Sequence, residues 1–489
     1  MSRHPALYQL NARVYLTERQ RELGRPVTLD DLPDSFIDTL AANGVEILWL
    51  LSVWSLGEKS RQISLSNREW LEEFESTLPD LQRDDIGGSG FAVREYTVAE
   101  KMGGPRALGR LRHRLASRQI RLMLDFVPNH MGLDHPWLDS HPEFFVQGST
   151  EQLRNEPQNY FVHQANRKIF AHGRDPYFPG WPDTVQLDYS NPALQTELKS
   201  QLLDIATQCD GLRCDMAMLV TPEVFLRTWG KQMADFWTPT IAAIKEKHPG
   251  FIFMAEVYWD MEWQLQQAGF NYCYDKRLYD RLRDRDYAGV RGHLRADLTY
   301  QSKLARFLEN HDEPRACATF TLTHHIPAAV LTFLSPGLRF FHHGQAEGRR
   351  KRISPHLIRA PDETVDLQVA ALYAKLVYLQ KDRVFHDGDW EAIEISRVWP
   401  ENWSSECLMA WTWRSSPHDV VLCVVNLADH EAQGCLELPQ WLQPLSNGAW
   451  SNLWTDTAFT MPEDQWRQGR WTLFAQPAQV FVIRHQLQA

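Results

Sequence analysis

Short apolar runs alternate with longer amphipathic runs along most of this chain, from Leu7 to about Arg383. Four of the short runs predict strands, at residues 45–54, 120–127, 251–257 and 338–344. Four of the longer runs have helical spacing, at residues 33–44, 105–119, 192–208 and 364–382. A strand followed by a helix, repeated about eight times, requires parallel strands. The alternation therefore predicts the α/β class and a closed (β/α)8 TIM barrel.

Two stretches interrupt this alternation. Residues 131–187 follow the third strand and are rich in His, Pro, Asn and aromatic residues without clear periodicity, which is typical of an inserted subdomain. After residue 385 the pattern changes to short apolar runs separated by turn residues, which predicts an all-β domain. We therefore expect a barrel at residues 1–130 and 188–385, an inserted subdomain at 131–187, and a C-terminal β-sandwich at 386–489.

The C-terminal region is rich in tryptophan. Ten of the nineteen tryptophans lie at or beyond Trp390. Exposed tryptophans could bind a ligand by stacking, but side chains at strand spacing more often fill a sandwich core. We expect most of them to be core residues.

The composition argues against several functional classes. The chain has 489 residues and a net charge of −11, whereas nucleic acids and anionic membranes require a basic surface. No apolar run reaches the ~18 residues of a membrane span, and the first residues lack a signal-peptide pattern. Seven scattered cysteines predict reduced thiols. We expect a cytoplasmic protein without nucleic-acid or membrane partners.

Acidic residues occur at the ends of predicted barrel strands. Such ends converge on one mouth of a barrel, where polar side chains are candidates for function. A single buried acid is usually satisfied by an arginine or by backbone N–H groups, but four on separate strands favour a site. The four candidates lie in the segments LMLDFVPNH, GLRCDMAML, FMAEVYW and LENHDEPR, and they are Asp125, Asp215, Glu256 and Asp312.

Two of these acids have contrasting neighbours. Arg213 lies two residues before Asp215, on the same strand face, and is expected to keep Asp215 ionised. Glu256 lies among apolar residues, which are expected to raise its pKa and keep it protonated. An ionised and a protonated carboxyl group, ~5–5.5 Å apart, are what retaining glycoside hydrolysis requires.

Six segments of the chain resemble the conserved regions of the α-amylase superfamily of glycoside hydrolases, in the same order. They are DFVPNH, WPDTVQLDYSNPAL, GLRCDMAML, FMAEVYW, LENHDEPR and PGLRFFHHGQAEGR. The resemblance extends over residues 7 to about 383, and a C-terminal β-sandwich is also usual in that family. It implies a retaining α-glycoside hydrolase that acts on α-glucosides through a covalent glycosyl-enzyme intermediate.

The resemblance also implies roles for individual residues. Asp215 would be the nucleophile, Glu256 the general acid and base, and Asp312 a ligand of the 2- and 3-hydroxyl groups of the sugar. Arg213 would orient Asp215, while His130 and His311 would hydrogen-bond the same sugar ring.

Three further positions are expected to shape the mouth. The resemblance implies that Asp125 and Asn129 fix its geometry. Phe91, in GSGFAVREY, lies where the family commonly has a stacking aromatic residue, with core packing as the equal alternative.

The sequence departs from the family pattern in places. Met218 and Leu219 stand where many members have Lys-His on the leaving-group side, and Gly88 stands where exo-acting members have Asp. Some members bind calcium near the position of Asn129. Residues 131–187 include the acids Asp175 and Asp183 but no dense oxygen-ligand loop, so calcium stays an open alternative and no metal is predicted. No cofactor is implied, because two carboxylates and water suffice.

Several alternatives stay open. The run GRRKR at residues 348–352 is either a solvated face or a site for an anionic substrate group. A transglycosylase or a phosphorylase would use the same covalent intermediate as a hydrolase. A non-catalytic scaffold on the same fold is less favoured, because the three implied catalytic residues are present. The expected partner is a small carbohydrate, and the sequence does not indicate an oligomeric state.

Overall fold

Eight parallel strands form a closed barrel in this computed structural model, which describes residues 1–486. The strands follow one another around the barrel in chain order: Ala6–Asn11, Val45–Leu51, Arg121–Phe126, Gly211–Cys214, Ile252–Ala255, Tyr272–Tyr274, Leu304–Arg306 and Leu338–His342. The predicted (β/α)8 barrel is therefore confirmed.

Helices separate these strands in the chain. Those of eight or more residues up to the last barrel helix are Ala12–Leu23, Asp34–Ala42, Arg68–Thr77, Gly104–Ala116, Pro192–Ile205, Pro222–Trp229, Trp237–Lys247, Lys276–Arg283, Tyr287–Leu294, Leu322–Phe333 and Leu367–Gln380. The four helices predicted from periodicity all form, with ends that differ by a few residues from the predicted ones.

The barrel strands and helices form where burial and capping favour them. Leu122, Leu124 and Phe126 are completely buried, so the strand Arg121–Phe126 has both faces covered and needs no polar alternation. The helix Pro192–Ile205 begins with proline at its first position, and the side chain of Asn191 accepts a hydrogen bond from the N–H of Ala193 at 2.9 Å.

The long connection between the third and fourth barrel strands contains small elements of its own. Two antiparallel ribbons pair His130–Gly132 with Thr184–Gln186 and Tyr160–Val162 with Ile169–Ala171. Two short helices, Trp137–Ser140 and Thr150–Asn155, lie in the same connection. Another ribbon, Trp54–Leu56 with Val93–Val98, precedes the third barrel strand.

The C-terminal region is all-β, as predicted. Its antiparallel strands form one eight-stranded sheet and are Asp389–Ser396, Leu408–Arg414, Val420–Asn426, Ala432–Glu437, Ala449–Asn452, Thr457–Phe459, Arg470–Ala475 and Val480–Gln486. The strand Asp389–Ser396 pairs with Leu408–Arg414 on one side and with Ala432–Glu437 on the other. The buried apolar side chains of the sheet form one core. Of the ten tryptophans from Trp390 onward, six are buried in the structure, whereas Trp399 and Trp403 are exposed.

The chain divides into two compact units. One comprises Met1–Leu7, Asp275–Arg350 and Glu363–Ala489, and the other comprises Tyr8–Tyr274 and Lys351–Asp362. The predicted domain limits describe a different division and stay a prediction. All seven cysteines are buried thiols. Among the described helices, none combines the length and the apolar character that a bilayer crossing requires.

Candidate active site

Arg213 joins two carboxyl groups at the ends of neighbouring barrel strands. The strands Gly211–Cys214 and Ile252–Ala255 pair in register, with Cys214 opposite Ala255. Asp215 and Glu256, the next residue after each strand, therefore lie at neighbouring positions at the mouth of the barrel. One terminal nitrogen of Arg213, Nη1, donates to Asp215 Oδ1 at 2.6 Å. The other, Nη2, lies 2.7 Å from Glu256 Oε2. One guanidinium group therefore holds both carboxyl groups at the same mouth.

The buried charge of Arg213 is compensated by its neighbours. Burial lowers the pKa of Arg213, but Glu256, Tyr274, Asp215 and Asp125 outweigh that effect and hold the pKa well above its ordinary value. Tyr274 also accepts a hydrogen bond from Nε at 3.2 Å. Arg213 is thus a permanent cation, which suits it for orienting the two acids.

Aromatic rings surround the same guanidinium group. Its Cζ atom lies 5.3 Å from the ring centroid of Phe91, 5.4 Å from that of Trp49 and 5.7 Å from that of Tyr274. Phe91 is half-buried, so its ring belongs to the site rather than only to the core. Its stacking on a sugar stays a prediction.

Asp125 supports Arg213 from the adjacent strand, where the two residues are register partners. Asp125 is 2% exposed and accepts hydrogen bonds from Trp49 Nε1 at 3.1 Å and from the N–H of Ser52 at 2.9 Å. Burial raises the pKa of Asp125 to about 7, against the opposing effect of Arg213. These contacts suit the predicted role of fixing the mouth.

The surroundings of Glu256 differ from the predicted ones. Besides Arg213, its carboxyl group accepts hydrogen bonds from the N–H of Met216 at 2.7 Å and from the hydroxyl of Tyr258 at 2.8 Å. The expectation that Glu256 lies among apolar residues is wrong for its carboxyl group, because Arg213, the hydroxyl of Tyr258 and the N–H of Met216 all reach it. Met216 has a left-handed backbone, at φ 42°. The immediate surroundings of the Glu256 carboxyl group are therefore partly polar.

His130 and Asn129 lie where the third strand enters the inserted connection. Burial lowers the pKa of His130 to about 4, so its imidazole is neutral at neutral pH. Its ring lies 5.1 Å from the ring of Trp181. Asn129 is held by Gln186, whose amide donates to the side-chain oxygen of Asn129 at 3.0 Å. Both residues are fixed by the insertion.

His311 and Asp312 lie in the other compact unit, after the strand Leu304–Arg306. Nε2 of His311 is 3.1 Å from Oδ2 of Asp312, and the Asp312 side chain is 36% exposed, whereas that of His311 is 2% exposed. The side chain of Asn310 accepts a hydrogen bond from the N–H of Asp312 at 2.9 Å. This turn keeps the Asp312 carboxylate accessible to a ligand.

A family model described as the alpha amylase catalytic domain matches residues 74–363, more than half of the chain. The chain belongs to the α-amylase family. Asp125, Asp215, Glu256 and Asp312 all lie within the matched residues.

Curated relatives agree with this assignment at low identity. The chain is 21% identical over 271 residues to alpha-amylase 3 of Dictyoglomus thermophilum, covering 51% of each chain. It is 21% identical over 383 residues to an alpha-amylase of Haloarcula japonica, covering 75% of this chain and 47% of that one. The chain thus spans about half the length of the curated relatives it matches.

Solved structures share the fold over the whole chain. A noncanonic maltogenic alpha-amylase from Thermotoga neapolitana has a TM-score of 0.71 at 18% identity and 99% coverage of both chains. A trehalose-6-phosphate hydrolase from Bacillus licheniformis has a TM-score of 0.67 at 13% identity, also with 99% coverage of both. At this identity the likeness shows the fold alone.

Family positions that depart from the usual pattern have local explanations. Met218 and Leu219 are both buried and apolar, so neither supplies the hydrogen bonds that Lys and His would make to a leaving group. Gly88 has a φ of 80°, and a Cβ atom there would lie 2.8 Å from the backbone nitrogen of Arg61, so an aspartate would not fit. This glycine keeps the backbone before Phe91 in a conformation that other residues rarely adopt.

Two side chains of the basic run after the last barrel strand contact other parts of the protein. Arg352 pairs with Glu73 at 2.5 Å, and Lys351 donates to the carbonyl of Ser76 at 3.1 Å. Within residues 1–486, no group of three His, Cys, Asp or Glu side chains has a metal-binding arrangement. The expectation for calcium stays a prediction.

Four residues that hydrogen-bond Asp125, Glu256 or Arg213 were not predicted from the sequence. They are Trp49, Ser52, Tyr258 and Tyr274. Trp49 had a detectable signal, because a tryptophan in the middle of a barrel strand brings an N–H donor into the interior. For Tyr258 the signal was its position two residues after Glu256, on the same side of an extended chain.

Replacing Arg213 with methionine is expected to destabilise the fold by about 3–5 kcal/mol, because Asp215 and Glu256 would stay buried without their cation. Urea denaturation measures this free energy of unfolding. The control is Arg68→Met, since Arg68 is 93% exposed and its pair with Glu72 should contribute no more than about 0.5 kcal/mol. Equal effects of the two substitutions would contradict the role of Arg213 as the cation that stabilises buried Asp215 and Glu256.

His130 makes folding stability depend on pH. Its pKa falls from 6.5 in the unfolded chain to about 4 in the fold, so only the unfolded state binds the proton between these values. The free energy of unfolding should therefore decrease by up to about 3 kcal/mol as the pH falls from 6.5 to 4. His130→Gln should remove this contribution from the pH profile measured by urea denaturation, whereas exposed His113→Gln should not.

Proposed function

We propose that this protein is a retaining α-glycoside hydrolase that cleaves α-glucosides by double displacement. The observation that carries the proposal is the bridge of Arg213 between Asp215 and Glu256. A bridge through one guanidinium group keeps two carboxyl groups close together, and the retaining mechanism requires a short separation of ~5–5.5 Å. An inverting enzyme needs a wider gap to admit water.

In the first step, the carboxylate of Asp215 attacks the anomeric carbon of the glucoside. The bond to the leaving oxygen breaks, and protonated Glu256 gives that oxygen its proton. The product of this step is a β-glycosyl ester on Asp215. Arg213 stays charged throughout and holds the Asp215 carboxylate in line for attack.

In the second step, water enters from the side that the leaving group has vacated. Glu256, now a carboxylate, removes a proton from this water, and the hydroxyl oxygen attacks the anomeric carbon. The ester bond breaks, Asp215 regains its charge, and Glu256 is protonated again. Two inversions leave the released glucose in the α form.

The remaining candidate residues would bind the sugar. Neutral His130 would hydrogen-bond its hydroxyl groups from the insertion, and Phe91 would pack against the ring. For Asp312 and His311, the role stays the one that the resemblance implies. An alpha-amylase from Geobacillus thermoleovorans with the same fold has been crystallised with acarbose, a carbohydrate ligand. This supports a carbohydrate substrate for the present protein.

Proton NMR during the reaction tests the proposal. The panel comprises maltose, maltotriose, isomaltose, trehalose, sucrose and glucosylglycerol, each with and without phosphate, and the control is Asp215→Ala. Release of α-glucose by the wild type alone supports retaining hydrolysis. Initial release of β-glucose would contradict it. New glycosides or glucose 1-phosphate would show transglycosylation or phosphorolysis instead.

A further inference from the structure

The helix Leu367–Gln380, which follows the last barrel strand, presents an apolar face to solvent. Leu367 is 79% exposed and Tyr378 is 72% exposed, and Ala371 and Ala374 between them are exposed as well. These four residues follow one another at intervals of four, three and four positions, which places them on one face of an α-helix. We call this face the apolar stripe.

Exposed apolar residues in such a row are unusual, because a helix at the surface normally turns polar side chains to solvent. The helix Lys276–Arg283 follows this rule, since Arg277 and Arg283 are exposed on it. Among the described residues of the helix Leu367–Gln380, Gln368 is the one exposed polar residue beside the apolar stripe. An exposed apolar patch of this kind indicates an interaction surface.

The opposite side of the same helix is already covered. Val369, Leu372, Leu376 and Leu379 are all buried, so the helix carries apolar residues on both sides. A helix that is apolar all round is typically buried on every side. The apolar stripe is the side that residues 1–486 leave open to solvent, so a cover for it has to come from another molecule.

The apolar stripe is complementary in shape to a second copy of itself. In a symmetric dimer with a twofold axis, the same surface of both copies forms the contact, and two such helices can lie antiparallel across the axis. With the axis between positions 372 and 373, Leu367 faces Tyr378 of the second copy, and Ala371 faces Ala374. Large side chains then meet at the two ends. Small ones meet at the centre, where the helix axes can approach to about 8 Å.

The two ends of the helix carry opposite charges. Asp366 caps the first turn by accepting hydrogen bonds from two backbone N–H groups, and exposed Lys381 follows the last turn. The antiparallel arrangement brings Lys381 of each copy to the Asp366 end of the other, and it also pairs the helix dipoles favourably. Lys375 is paired with Asp456 at 3.3 Å within its own copy, so it brings no uncompensated charge to the axis.

We propose that two copies of this chain form a symmetric dimer in which the apolar stripes pack against each other with the helices antiparallel. A second copy is the partner that the stripe itself specifies, because one surface supplies both halves of every contact, large residue with large residue and acid with lysine. The helix of 14 residues is about 21 Å long, so the contact is small and the dimer is reversible. This inference concerns assembly and does not depend on the proposed hydrolysis.

Sedimentation velocity of the full-length protein tests the dimer. The average mass of the wild type should rise from one toward two chain masses as its concentration increases through the micromolar range. Ala374→Glu is expected to raise the Kd of the dimer at least about tenfold, because it places two like charges beside the axis. Ala374 is exposed and glutamate is a good helix former, so the fold should be kept.

The matched control is Gln368→Glu. It introduces the same residue into the same helix, at an exposed position about a quarter turn away from the apolar stripe. It should change the Kd of the dimer by less than about twofold. A wild type that keeps one chain mass at every concentration would overturn the inference. So would a dimer that Ala374→Glu does not weaken more than Gln368→Glu does.

Oxidative cross-linking tests the direction of the helices. Leu367→Cys and Tyr378→Cys are made in separate full-length proteins, one of which carries a mass tag. A mixture of the two should form a disulfide-linked pair of one tagged and one untagged chain, because the two positions face each other across the axis. All seven native cysteines are buried, so the wild type is the control and should form no cross-link.

Each variant by itself distinguishes the arrangements further. In the antiparallel dimer, Leu367 of one copy lies at the far end of the helix from Leu367 of the other, so Leu367→Cys alone should not cross-link. Efficient cross-linking of Leu367→Cys with itself, and none in the mixture with Tyr378→Cys, would overturn the proposed packing.

Discussion

Replacing Asp215 with alanine is expected to lower kcat on the cleaved glucoside by about 10⁴-fold or more, because no other group can form the glycosyl ester. Asp215 is 6% exposed at the barrel mouth and contributes no apolar contact to the core. The fold should therefore survive, with Arg213 still paired to Glu256. Single-turnover kinetics and circular dichroism measure the two effects.

Two companion measurements sharpen this test. Asp215→Asn keeps the shape of the side chain, so an equally large loss in that variant would show that the charge is what matters. Mass spectrometry with a fluorinated glucosyl fluoride should detect a covalent adduct on Asp215 in the wild type alone. A folded Asp215→Ala protein with near-normal kcat would refute its role as nucleophile.

Glu256→Gln is expected to have the second large effect, and the size of that effect should depend on the leaving group. Glutamine cannot donate or remove a proton, so kcat on a natural glucoside should fall by about 10²–10⁴-fold for the lost proton transfer. A glucoside with a nitrophenolate leaving group needs no proton, so its first step should be nearly unaffected. Burst kinetics separates ester formation from hydrolysis.

External azide provides the control for this prediction. Azide attacks the ester without help from a general base, so it should restore turnover of the nitrophenyl glucoside in Glu256→Gln and yield an α-glucosyl azide, the product of two inversions. Asp215→Ala should not respond in this way. If the substitution lowers the rates on both glucosides equally and azide has no effect, Glu256 is not the acid and base.

The positions of the acids in the barrel were predictable from single segments. Asp215 and Glu256 each follow a short apolar strand, and parallel strands of a barrel direct their ends to one mouth. Asp125, in a strand with no other polar residue after Arg121, was predictable in the same way. Each of these predictions needs only a few consecutive residues, because the burial and hydrogen bonding of a strand favour particular residues over only a few positions.

The contacts of those acids were less predictable. The sequence placed Glu256 among apolar residues, but in the fold Arg213, Tyr258 and the N–H of Met216 all reach it. Two of these donors come from the neighbouring strand and its following turn. Their approach depends on strand register and on the left-handed backbone of Met216, and neither property can be read from the composition of a single strand.

The sequence by itself determined the class of the protein. The strand-helix alternation specified a barrel, and six ordered segments carried the resemblance to one family of glycoside hydrolases. Only the tertiary structure decided that one guanidinium group serves both Asp215 and Glu256, and that Tyr177, Arg227 and Trp259 meet. The physical reason is range: periodicity and burial act between near neighbours in the chain, whereas these contacts join separate segments whose distances are set by the packing of the fold.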